Sequence, residues 1–282
     1  MPVDRPTDAR ARLLSHFNSA KGSTEHGTKW DELWTEGFLP WDKGFPNPAL
    51  VDLLSQRQDI LPTSTSPNAN GQASKKKKAL VPGCGKGYDV LLLSAFGYDA
   101  YGLEISSKAL EEARKVEAEM NGKDIYTARE GFEKGEVHWI VGDFFEEGGE
   151  GILGGEKFDL IYDYTFLCAL PPVMRPAWSK RFVDLLAPEG RVVCVEFPTY
   201  KPPSTGGPPW ALPPKVYLAH LMRPGVELPY AEDGELLEMK LEEPSKNGLK
   251  RIAHFQPERT HQIGYDAEGK VTDWVSVWAH PS

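Results

Sequence analysis

The stretch ALVPGCGKGYDV carries three glycines, Gly83, Gly85 and Gly87, between a short apolar run and a second run of helical pattern. Glycine lets a ligand approach the backbone without a Cβ in the way, and the amides that open the next helix point toward that ligand. No Lys-Ser/Thr pair follows, so this is not a phosphate loop of the GxxxxGK[ST] kind. Glu104, in GLEIS, closes the next apolar run. In a nucleotide-binding βαβ unit, a carboxylate about 20 residues beyond the first glycine accepts hydrogen bonds from the ribose hydroxyls.

Turn and carboxylate together fit any adenosine-containing ligand. VHWIVGDFF adds Asp143, able to accept the exocyclic amine of adenine, and Phe144, able to pack against the ring. KFDLIYDY ends on Asp163-Tyr164, beside the expected reactive end of the ligand. A carboxylate there suits an ammonium or sulfonium charge better than a pyrophosphate. No arginine closely follows the glycine turn. S-adenosylmethionine is therefore favoured over a nicotinamide dinucleotide. An NAD(P)-dependent oxidoreductase and a catalytically silent cofactor-binding protein are the alternatives.

These residues need a scaffold, and the pattern supplies one. KALVP, YDAYGLE, VHWIV, KFDLIYDY and GRVVCVEF read as five strands, with helices in three of the four gaps between them. The helices follow the glycine turn, SSKALEEARKVEAEM and RPAWSKRFVDLL. A mostly parallel sheet covered on both faces is expected. LKRIAHFQPER and VTDWVSVWAH read as a final antiparallel pair joined by YDAEGK. Residues 61–78, LPTSTSPNANGQASKKKK, have the composition of a flexible linker. They divide an arm, residues 1–60, from a body, residues 79–282.

The arm holds Trp30, Trp34 and Trp41 within twelve positions. Thr28 and Asp31 look like a helix start, which sets Trp30 and Trp34 on one helical face. Gly37 and Pro40 end that helix, and Gly44, Pro46 and Pro48 keep the chain around Trp41 extended. Such an arm is too broken for a core element but able to lie over a ligand cleft.

The formal charge of −9 and pI of about 5.4 argue against a nucleic-acid partner, and the Lys75–Lys78 run reads as the end of a loop. Cys84, Cys168 and Cys194 are odd in number, widely spaced and without metal-ligand spacing, as expected of free thiols in a reducing compartment. No apolar run is long enough to cross a membrane and the N-terminus lacks a signal-peptide pattern, so a cytoplasmic protein, monomeric by default, is expected.

Together, ALVPGCGKGYDV, GLEIS, GDFF, FDLIYDYTFLCALPPVMRPAW and GGPPW resemble the thiopurine methyltransferase superfamily, and within it the halide and thiol methyltransferases of plants and fungi. The resemblance spans about residues 28–60 and 78–210. It implies an α/β class I S-adenosylmethionine-dependent methyltransferase fold, Rossmann-like, with a seven-stranded mostly parallel sheet, an antiparallel seventh strand near the edge, and a helical arm covering the cofactor cleft. It also implies cofactor contacts from Trp30, Trp34, Trp41, Gly83, Gly85, Glu104, Asp143, Phe144 and Asp163, and methyl transfer to halide ions, hydrosulfide or small thiols, with thiopurines as the alternative acceptors. Tyr164, Phe197 and Trp210 are the acceptor-pocket candidates. Phe197 and Trp210 stand where tyrosines are expected, which leaves acceptor preference open. Trp139, Trp178 and Trp274 are assigned to packing, as is Cys168. The residues show no Ser/His/Asp or Cys/His catalytic set and no metal site, and transfer to a soft anion needs neither.

Overall fold

The computed structural model describes residues 6–18, 23–61, 64, 75–120, 122–146, 153 and 155–281. The five apolar runs become β1 (Lys78–Pro82), β2 (Asp99–Glu104), β3 (Val137–Val141), β4 (Phe158–Tyr164) and β5 (Leu186–Glu196), and β6 (Lys250–Phe255) and β7 (Trp274–Ala279) complete the sheet. Its order is β3-β2-β1-β4-β5-β7-β6. β1 to β5 pair in parallel, and β7 runs antiparallel to both β5 and β6. The last strand is thus inserted one place in from the edge, as the class I methyltransferase arrangement requires. β1 lies between β2 and β4, so the strand order reverses there. A crevice opens beyond the carboxyl ends of strands at such a reversal.

The body helices are α4 (Tyr88–Ala95), α5 (Ser107–Met120), α6 (Arg175–Leu185) and α7 (Pro214–Met222), following three arm helices, α1 (Pro6–Phe17), α2 (Ser23–Glu36) and α3 (Pro48–Gln56). Two apolar clusters form the core. One gathers Leu53, Val90, Leu93 and Val116 from α3, α4 and α5, and the other Trp178, Phe182, Val216 and Tyr217 from α6 and α7. Val90 to Leu93 are all buried, which explains a helix apolar around most of its circumference. Trp139 rests on Gly87 and Gly102 and donates to Glu117 at 2.7 Å, while Trp274 stacks on His254.

The arm departs from its sequence reading in two places. α2 begins at Ser23, so Thr28 lies inside the helix rather than at its start. Gly27 sits within the helix, where its bare Cα touches the body: a Cβ there would meet Ile105 at 2.3 Å. The helix ends as read, at Gly37 with φ 70°. The Phe38 amide donates to the Leu33 carbonyl at 3.0 Å and the Gly37 amide to that of Trp34 at 3.1 Å, closing the C-terminus. Pro48, read as extended chain, is instead the first residue of α3, where a missing N–H costs nothing. Asn47 caps that helix, its side-chain oxygen accepting from the Ala49 amide at 2.8 Å.

Of the stretch read as a linker, Leu61 and Ser64 are buried and Lys78 already belongs to β1; most of the remainder lies outside the described residues. The link between β6 and β7 is wider than the YDAEGK turn, spanning residues 256–273, and this length matters at the site. Among the described residues, no helix is long and apolar enough to cross a membrane.

Candidate active site

A cavity of about 530 Å³ lies beyond the carboxyl ends of β1, β2, β3 and β4, beneath the arm. That volume falls in the range of roughly 300–1,000 Å³ typical of small-molecule sites. The glycine turn forms its floor. Gly83 has φ 59°, and a Cβ there would strike Phe166 at 2.5 Å, so backbone and ring close on each other only because the residue is glycine. Gly85 also lines the cavity, whereas Gly87 turns the chain into α4 beneath Trp139.

Glu104 is held rigidly at the end of β2. One carboxylate oxygen accepts from the Gly85 amide at 3.1 Å, the other from Ile105 at 2.9 Å and Ser106 at 3.2 Å. Burial raises its pKa and the three amides oppose that rise. The turn and its carboxylate, separate in sequence, are thus joined by a hydrogen bond. Asp143 accepts from the Phe145 amide at 2.9 Å, and Phe144 is buried in the wall, edge-on to Phe166.

The arm forms the roof. Trp30, Trp34 and Trp41 all line the cavity, with Trp41 edge-to-face on Trp30 at 5.0 Å and on Trp34 at 6.0 Å. His26 ties this roof to the body, its Nε2 lying 2.8 Å from the Ala169 carbonyl. At that distance Nε2 carries the proton and donates. It therefore does not accept from Trp30 Nε1, 3.1 Å away.

Two residues read as site residues lie outside the lining. Asp163, near the end of β4, is fully buried, and its carboxylate accepts from Trp178 Nε1 at 2.9 Å and the Leu167 amide at 3.2 Å. Its place at the strand end is as read, but its side chain supports the loop that follows and does not line the cavity. Trp210 covers Gly207 and leans on His26 at 5.7 Å, with its amide bonded to the Cys168 carbonyl, so its indole braces arm against body. Tyr164 and Phe197 do line the cavity.

A sequence profile of the thiopurine S-methyltransferase (TPMT) family matches residues 25–260, which include the three tryptophans, the glycine turn, Glu104, Asp143 and Phe144. The chain belongs to the thiopurine S-methyltransferase family. It is 33% identical to a probable thiol methyltransferase 2 of Arabidopsis thaliana, over 80% of this chain and 81% of that protein. It is 32% identical to thiocyanate methyltransferase 1 of Brassica oleracea, over 67% and 69%. Its fold matches magnesium protoporphyrin IX methyltransferase of Synechocystis PCC 6803, solved with bound S-adenosylhomocysteine, at a TM-score of 0.50 over 95% of this chain and 92% of that one, with 11% identity.

This methyltransferase uses S-adenosylmethionine, and the cavity fits it. Glu104 would hold the ribose hydroxyls, Asp143 and Phe144 the adenine, and the glycine turn with the three tryptophans the remainder. Tyr164 Oη and His261 Nδ1 are buried in the wall without a partner among the described residues, as expected of atoms that a polar ligand satisfies.

The methyltransferase site also contains groups that the sequence reading missed. His261, from the wide loop between β6 and β7, stacks on Tyr164 at 5.5 Å and meets Phe45 of the arm at 4.7 Å. Asp89, at the start of α4, accepts from the Asn47 amide at 2.9 Å. Its position two residues beyond Gly87 was the available signal; nothing local in the sequence marks His261 or Phe45. Lys86 pairs with Asp42 at 2.5 Å. Burial, helped by Lys43, pushes His261 down to about 4; burial also lowers His26 and raises the Cys168 thiol. Thr165, between the two aromatic walls Tyr164 and Phe166, has φ 62°, a strained conformation for a β-branched residue.

Proposed function

We propose that this enzyme transfers methyl to soft anions: halide ions (iodide, bromide, chloride), hydrosulfide and small thiols in their ionised form. The observation that carries this reading is the enclosure of the cavity by the aromatic faces of Trp30, Trp34, Trp41 and Phe166, a water-poor setting that suits an anionic nucleophile and a sulfonium. A histidine held at about 4 is a weak proton acceptor, and a buried thiol such as Cys168 stays protonated and is a poor nucleophile. Neither side chain is suited to activate an acceptor, which agrees with one that arrives already ionised.

S-adenosylmethionine supplies an activated methyl group on a sulfonium. The chain supplies water exclusion and alignment. Trp30, Trp34, Trp41 and Phe166 enclose the cavity with aromatic faces, which attract a cation by about 0.5 to 2 kcal/mol each while keeping water from an anion. Gly83 and the fixed carboxylate of Glu104 set the depth and orientation of the donor, which is what an in-line displacement requires. The names of the thiol and thiocyanate methyltransferase relatives agree with this acceptor class.

The test is purified protein with S-adenosylmethionine and, in parallel, iodide, thiocyanate, hydrosulfide or an aryl thiol. Methyl iodide in the headspace and equimolar S-adenosylhomocysteine are expected with iodide. Absence of product with all four acceptors would exclude this reading.

A further inference from the structure

The cavity is electrically lopsided. Beside the glycine turn its charges are mainly acidic or neutralised: Glu104, Asp89 and Asp143 line it, Lys86 is paired with Asp42, and Lys43, whose pKa burial lowers, has the opposing charge of Asp42 beside it. At the other end, beyond β4 and β5, Lys201 and Arg10 line the wall together with Cys168 and Phe197. Among the described residues, neither cation takes part in an ion pair; Arg10 is exposed, whereas Lys201 is half-buried and its charge is the less well solvated of the two. Lys201 Nζ donates to the carbonyl of Gly206 at 2.6 Å and to that of Pro209, and Arg10 reaches the Thr205 carbonyl at 3.4 Å. Two carbonyls use two of three ammonium protons and leave the charge standing.

Burial, with Arg10 nearby, pushes the Lys201 pKa down to about 8, the direction expected for a desolvated cation lacking a counter-ion. An anion beside Nζ would relieve both costs. Phe197, Pro209 and Cys168 make the surroundings weakly polar, which strengthens attraction to a charge and favours large, weakly hydrated anions over small, strongly hydrated ones.

We propose that Lys201, assisted by Arg10, is the acceptor-selecting subsite, which draws the anionic nucleophile to the end of the cavity opposite Glu104. The inference rests on the soft-anion reading above. Lys201 also staples its own loop, so the test must separate charge from structure. Lys201→Gln keeps donors for the two carbonyls and removes the charge; Lys201→Arg keeps the charge.

The experiment is a thiocyanate titration of the S-adenosylhomocysteine complex, followed by tryptophan fluorescence, for wild type and both variants. It is joined by calorimetric affinity for S-adenosylhomocysteine and by kcat and KM for iodide. Lys201→Gln is expected to weaken thiocyanate by about 10-fold or more and to raise the iodide KM in step. The expected kcat is within about two-fold of wild type, with Lys201→Arg near wild type and S-adenosylhomocysteine affinity unchanged in both. Wild-type thiocyanate affinity in Lys201→Gln, or an equal loss of S-adenosylhomocysteine affinity, overturns the proposal. Should Lys201→Gln not fold, Arg10→Ala decides: weakening of thiocyanate supports the subsite and no change overturns it. Lys201-dependent thiocyanate binding without methyl transfer to any acceptor would sink the soft-anion reading and leave the subsite standing.

Discussion

The backbone amide of Asn47 donates to the Asp89 carboxylate across 2.9 Å, so the residue that caps α3 also fastens the arm to the helix of the glycine turn. Burial pushes Asp89 up to about 7 from an ordinary 3.8, and its charge in turn disfavours ionisation of Tyr126, Tyr162 and Tyr164. The folded chain therefore holds a proton that the unfolded chain releases between about pH 4 and 7. The Asp89 contribution to stability is full below pH 4 and is lost as pH rises through 7. Asp89→Asn keeps an acceptor for the Asn47 amide without the buried charge. At pH 8 the ligand-free variant is expected to be more stable than wild type, on the order of 1 to 4 kcal/mol, with the difference vanishing below about pH 4. Urea unfolding at several pH values measures this; a difference independent of pH would refute it.

Glu104 makes a different prediction, because its three backbone donors fix its position before any ligand arrives. Glu104→Gln has one acceptor oxygen where the carboxylate has two, and its amide group would face at least one backbone N–H. Affinity for S-adenosylhomocysteine is expected to fall about 10-fold or more, since hydrogen bonds to charged groups contribute roughly 1.5–3 kcal/mol where neutral ones contribute roughly 0.5–1.5. Calorimetry reads this directly, and an unchanged affinity would remove Glu104 from the ribose site.

Asp163 is expected to behave as a structural residue. Asp163→Ala leaves the buried N–H groups of Trp178 and Leu167 without acceptors, at about 1–3 kcal/mol each. The melting temperature should drop by several degrees, roughly 2–4 °C per kcal/mol. S-adenosylhomocysteine affinity of the folded fraction should stay within a few-fold. A large affinity loss without destabilisation would return Asp163 to the ligand.

The contrast between Glu104 and Asp163 shows how much of the site is legible in the sequence. Both close apolar runs, and parallel strands buried on both faces announce themselves as such runs, so the sheet and the ends of β2 and β4 could be placed. Strand-end position does not state which way a side chain turns, and that of Asp163 does not line the cavity. The same ambiguity separates Trp210, which braces the arm, from Trp34, which lies over Gly85. Phe45, Tyr164 and His261 come from distant parts of the chain and meet only when arm, sheet and the 256–273 loop are assembled. α7 was missed because it lies in the region where the resemblance is poorest and its residues are buried nearly all round, which leaves little periodicity to read.

The arm gives the last prediction. Leu13, Phe17 and Leu33 form an apolar cluster of their own with Trp30, Phe38 and Trp41, separate from the two clusters that hold the sheet. Removing residues 1–45 therefore takes away that cluster and the His26 tie to Ala169, but spares Asn47 and its cap on α3. The truncated chain is expected to keep the circular dichroism of the α/β body and a cooperative unfolding transition, and to lose S-adenosylhomocysteine binding. The physical reason is exposure: without Trp30, Trp34 and Trp41 the floor of Gly83 and Gly85 faces bulk water, and aromatic stabilisation of the donor's charge is gone. Trp34→Ala in the full chain, at the indole nearest Gly85, should reproduce part of the loss, about 10-fold, with the fold intact. Unchanged affinity in the truncated chain would reduce the three tryptophans to packing.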